Sequence, residues 1–113
     1  MKKFLPALSL VLLFQGLAFG QSTLEKAYAE HTAGNYDKAL ELYTQVIAAE
    51  PENLDAFWNR GLLQATKENY ALAVADLKKV QEKAPDAPLV YNALGWYQLL
   101  DNKITEARAT LQK

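Results

Sequence analysis

Along the chain from Gln21 onward, apolar residues recur at steps of three and four, the repeat of an amphipathic helix. From Leu54 to about Lys67 the set is Phe57, Trp58, Gly61, Leu62 and Ala65. After Glu68-Asn69 the same rhythm resumes with Tyr70, Ala73, Val74, Leu77 and Val80. This predicts two helices joined by a short turn. Gly34-Asn35 and Asn102-Lys103 fill the equivalent turn elsewhere, because Gly and Asn tolerate the left-handed backbone that ends a helix. Pro51 and Pro85 stop the second helix of each pair. Asn53 and Asp86 are the expected N-caps of the helices that follow, and Pro88 suits a first helical turn.

Set against itself, the sequence repeats at an offset of 34 residues. Asn35 and Asn69, Tyr36 and Tyr70, Ala39 and Ala73, Val46 and Val80, and Pro51 and Pro85 are all so related. A third copy continues the register, with Gly61 followed by Gly95, Gln64 by Gln98, Ala73 by Ala107 and Leu77 by Leu111. A fixed period of this length is the sign of stacked supersecondary units. Their approximate bounds are 21–53, 54–87 and 88–113, the last incomplete. Small residues are expected where the two helices of a unit approach. Gly61 and Gly95 on the first helix, and Ala39, Ala73 and Ala107 on the second, leave room for Phe57 or Tyr91 and for Tyr43, Leu77 or Leu111.

The first twenty residues follow another grammar. Lys2 and Lys3 precede an uncharged apolar run from Phe4 to Phe14, and Ala18 and Gly20 offer small residues before Gln21. These are the marks of a cleaved secretory leader. Phe4 to Phe19 falls short of a comfortable bilayer span and is broken by Pro6, Gln15 and Gly16, so cleavage is expected over an uncleaved membrane anchor. Residues 1–20 are therefore assigned to a signal peptide and residues 21–113 to one repeat domain, periplasmic or secreted. Cleavage takes two of the twelve basic residues and leaves the thirteen acidic ones, making the mature chain mildly acidic. That balance, without like-charge blocks, argues against nucleic acid.

The repeat columns resemble the tetratricopeptide repeat, a helix–turn–helix unit of the same length with aromatic, Leu-Gly, Tyr, Ala, Phe and Pro positions. The second unit carries Phe57, Gly61, Ala73, Leu77 and Pro85. The third carries Tyr91, Leu94, Gly95, Ala107 and Leu111, and the first Ala27, Ala39, Tyr43 and Pro51. The resemblance implies an all-α fold, a right-handed α-solenoid of about three such units. Departures include Arg60 at a usual Leu column, Gln64 and Gln98 at a frequent Tyr column, and Thr23, Lys26 and Glu30 at first-helix positions that are normally buried. A polar terminal unit fits a stack whose end meets water.

The resemblance further implies a concave surface, lined by the first helix of each unit, that binds a protein or peptide partner. Its columns map to Leu24, Tyr28 and His31, then Asp55, Trp58, Asn59 and Leu62, then Leu89, Asn92, Trp96 and Leu99. Tyr28, Trp58, Asn59, Leu62, Asn92 and Trp96 are the candidate groove residues. Trp58 and Trp96 would anchor a ligand, and Asn59 would read its backbone with both a donor and an acceptor. The competing expectation is that both tryptophans pack between units as core. A carboxylate clamp is not expected, since Asn59 alone among Leu24, Tyr28, Asn59, Leu89 and Ala93 suits it.

No enzymatic site is legible. The chain has no cysteine and one histidine, His31, expected to be a surface or groove residue and not a metal ligand. No serine follows Ser22, no glycine-rich phosphate loop is present, and the acids read as outer-face residues. No cofactor is expected. The leading expectation is an exported, non-enzymatic scaffold. The alternatives are the N-terminal docking region of a longer envelope protein, with a catalytic or membrane domain beyond Lys113, and self-association through the incomplete third unit.

Overall fold

The computed structural model describes residues 22–111, and the leader expected over 1–20 lies outside the described residues. All regular structure among them is helical: α1 over 22–32, α2 Tyr36–Ala49, α3 Leu54–Thr66, α4 Tyr70–Lys83 and α5 Pro88–Leu111. The period of 34 reappears in the boundaries, since α2 and α4 start and stop in register, as do the starts of α3 and α5. Both prolines act as expected. α2 ends two residues before Pro51 and α4 two residues before Pro85.

The chain divides after Pro51 into two compact units. In the first, α1 contributes buried Ala27 while α2 buries Ala39, Tyr43 and Val46 at steps of four and three. In the second, α4 packs against both α3 and α5. At Gly61 α3 approaches α4 closely. A Cβ there would lie 3.3 Å from the Asp76 Cβ, 3.3 Å from Leu77 Cδ2 and 3.4 Å from the Ala73 carbonyl oxygen, so glycine is the residue that lets these helices meet. Leu77 is fully buried in this contact. On its other flank α4 meets buried Val90 and Leu94 of α5, with Tyr70 and Tyr97 stacked at a ring separation of 6.2 Å.

Two turns share one mechanism. Gly34 and Glu68, one repeat apart, have φ of 86° and 62°. Each N–H reaches back three residues, to His31 or Ala65, and the next N–H reaches back five, from Asn35 to Glu30 at 2.9 Å and from Asn69 to Gln64 at 2.8 Å. This is the Schellman closure of a helix. The side chains add a second tie, with Asn35 Nδ2 donating to Glu30 Oε2 and Asn69 Nδ2 donating to Gln64 Oε1.

The third turn does not form. α5 runs unbroken through Asn102-Lys103 for 24 residues, where a turn was expected. Asn102 suits the left-handed position, but Lys103 replaces the asparagine whose amide ties each of the other two turns. Past it, Ile104 is half-buried and helps line a cleft of about 170 Å³ with Tyr70, Leu72 and Arg108. The expected pairing of Gly95 with Ala107 and Leu111 is therefore not made. A methyl group placed on Gly95 would meet nothing within 4 Å, and Tyr91 and Leu111 are exposed.

The caps also separate expectation from outcome. Asn53 caps α3, its side chain accepting from the Ala56 N–H at 3.1 Å. Asp86 does not cap α5. That helix starts at Pro88, and the Ala87 carbonyl receives the Val90 and Tyr91 amides.

Candidate functional site

α5 presents Leu89, Asn92, Trp96 and Leu99 at steps of three, four and three, which places them along one face of the helix. All four are exposed, Trp96 at 57 %. The face is held outward by its opposite side, where Val90 and Leu94 are buried and Tyr97 stacks on Tyr70. Burial raises the Tyr97 hydroxyl pKa above its ordinary value, with neighbouring Tyr70 adding to it.

α3 carries the corresponding row of the preceding repeat. Trp58, Asn59 and Leu62 are half-buried and Asp55 is exposed. Asn59 Nδ2 donates to the Asp55 carbonyl at 2.8 Å, which engages one of its amide hydrogens with its own helix. The two tryptophans thus differ: Trp96 stands in solvent, while Trp58 is partly packed.

Beside this row lies an ion pair that sequence reading did not anticipate. Arg60 Nε donates to Asp76 Oδ2 at 2.8 Å and its NH2 nitrogen donates to Asp76 Oδ1 at 2.7 Å, a two-pronged bridge from α3 to α4. Asp76 is buried, which corrects the expectation that the acids sit on outer faces. The hydrogen bond to Asp76 raises the Arg60 pKa. The one signal available was the departure itself, a charge at a usually apolar column. The guanidinium also lies 5.7 Å from the Phe57 ring centre.

In the first unit, Tyr28 is exposed on α1. His31, expected at the surface or in the groove, is half-buried, meeting Tyr28, Tyr36 and Tyr43 edge-on with ring centres 6.5, 6.0 and 5.9 Å away. Its Nδ1 lies 3.1 Å from the Tyr43 hydroxyl. Burial lowers the His31 pKa below 6.5, and burial, aided by Tyr28, pushes Tyr43 up to about 12. The cluster joins α1 to α2 through neutral rings.

Among the described residues, no group of three or more His, Asp or Glu is placed to hold a metal ion. No helix among them is long and apolar enough to cross a membrane.

What the site residues share is their place on the first helices of successive 34-residue units, and comparison with known families leads to the same unit. The sequence profile of the tetratricopeptide repeat matches residues 24–88 and again 67–113. Together the matches take in α1 to α5 with their paired glycine, alanine and proline columns, and the chain belongs to the tetratricopeptide repeat family.

Proposed function

We propose that the protein is an exported, non-enzymatic adaptor whose repeats hold a segment of a partner protein. Repeats of this family are protein-interaction scaffolds, which supplies the general class. The observation that supports a binding face on this chain is the exposed row Leu89, Asn92, Trp96 and Leu99 on α5, apolar and aromatic at three of its four positions. A tryptophan left in water at this spacing is poorly used unless it contacts a ligand, because indole burial is among the largest contributors to binding energy. Asn92 adds a donor and an acceptor suited to a peptide backbone. Trp58, Asn59 and Leu62 on α3 extend the same chemistry, and Tyr28 offers an exposed ring on α1. The basic, apolar and small-residue order of residues 1–20 supports export, with the repeats delivered to the periplasm or the medium.

Selection from a displayed peptide library tests the binding face. Trp96→Ala should weaken the selected peptides by roughly 30-fold, the equivalent of about 2 kcal/mol for an anchoring aromatic, while the circular dichroism melt is unchanged. Peptides that bind Trp96→Ala as well as the parent would refute the face. Intact mass of the secreted product tests export, with the expected species beginning at Gln21.

A further inference from the structure

The packing of α3 on α4 defines a lock and a key. The lock is the face of α3 that carries Phe57, Gly61 and Gln64, and the key is the face of α4 that carries Ala73, Asp76 and Leu77. The chain contains a second lock, Tyr91, Gly95 and Gln98, and a second key, Ala107, Thr110 and Leu111, each one repeat further on. In the second unit Gly61, Gln64, Ala73, Asp76 and Leu77 are all buried. Phe57 is half-buried, and all six residues of the second lock and key on α5 are exposed, Tyr91 at 48 % and Leu111 at 85 %.

The straight helix keeps this lock and key apart. Gly95 and Ala107 are twelve residues apart on α5, which is about 18 Å along the axis at 1.5 Å per residue. At roughly 100° per residue, the centres of the two faces also point to different sides of the helix, about 150° apart. A straight α5 cannot close on itself. Two copies exchanging keys reciprocally would need both faces on one side, so a closed two-fold pair is excluded as well. With lock and key on different sides, the contact they can make is head to tail, a heterologous one that repeats from copy to copy.

We propose that the Ala107, Thr110 and Leu111 face of α5 docks against the Tyr91, Gly95 and Gln98 face of a second copy of this chain. The exposed Gly95 receives the incoming helix as Gly61 receives α4, and Leu111 takes the place of Leu77. Thr110 stands where Asp76 meets Arg60, and Leu94 stands where Arg60 does, so the new contact carries no buried ion pair. The inference goes beyond the binding row of Trp96, which lies nearer the N-terminus of α5 than the Ala107 face and apart from the Gly95 face, and either can fail without the other.

The experiment is sedimentation equilibrium on the protein expressed from its whole coding sequence, up to about 100 µM, where micromolar contacts register. The expected result is a weight-average mass that keeps rising with concentration, without a plateau at the dimer. Gly95→Arg fills a position with open space around it and should fold normally while losing the lock; Ala107→Arg, also exposed, should lose the key. Each variant alone should be monomeric. Mixed, they should give a one-to-one dimer and nothing larger, because each retains the half the other lacks. Trp96→Ala should associate like the parent. A parent that stays monomeric across the range, association that survives Gly95→Arg, a plateau at the dimer, or a mixture that stays monomeric would each overturn the proposal.

Discussion

Arg60 and Asp76 offer a quantitative test of how the second unit is held together. The Asp76 side chain is 8 % exposed and that of Arg60 is 22 %, and their two bonds of 2.7 and 2.8 Å join α3 to α4 beside the Gly61 contact. Removing one member of a buried pair typically costs 3–5 kcal/mol, because the other charge is left desolvated without compensation. The partial exposure of the Arg60 side chain lets water reach it and reduces that figure. Arg60→Leu, which strands the more buried carboxylate, is expected to cost about 3 kcal/mol. Asp76→Leu should cost less, about 1–2 kcal/mol, since the guanidinium retains its place near Phe57 and a path to solvent. In Arg60→Leu/Asp76→Leu neither charge remains to be desolvated, and stability should return to within about 1 kcal/mol of the parent. The cycle, read by urea unfolding at 222 nm, should give a coupling of at least about 2 kcal/mol. If Arg60→Leu costs under about 0.5 kcal/mol, or the double variant costs the sum of the singles, the pair does not join these helices as described.

Two further outcomes follow from the turns and the aromatic cluster. Glu68 holds a φ of 62° that disfavours any side chain, so Glu68→Gly should stabilise the protein by about 0.5–1 kcal/mol and Gly34→Ala should destabilise it by about 1 kcal/mol or more, both measurable by thermal or urea unfolding. His31 has its pKa lowered by burial, so the unfolded chain takes up the proton more readily. Stability should be complete above pH 6.5 and fall as the pH drops from there through the folded-state pKa. As the chain has one histidine, a single imidazole resonance followed by NMR reports the folded pKa directly, and a midpoint at or above 6.5 would contradict the burial argument.

Local chemistry alone fixes much of this protein. Helices at steps of three and four, turns at Gly34 and Glu68-Asn69, stops before Pro51 and Pro85, and the Asn53 cap all depend on neighbours within five residues. The exposed row on α5 was legible for the same reason, since a helix of known start sets which residues share a face. What tertiary structure decided involves partners farther off. Asp76 is buried because Arg60, sixteen residues earlier, meets it, and His31 turns inward because Tyr43, twelve residues later, offers its hydroxyl. Trp58 and Trp96 share the chemistry of an anchor, yet α3 partly packs the first and α5 leaves the second in water. The unbroken α5 is the clearest case. Asn102 suits a left-handed turn better than Glu68, which adopts one, so a permissive residue only lowers the cost of turning. Whether the chain turns depends on what the following helix gains by folding back, and here Ile104 lies half-buried beside Tyr70 and Leu72 of α4 while residues 105–111 stay exposed.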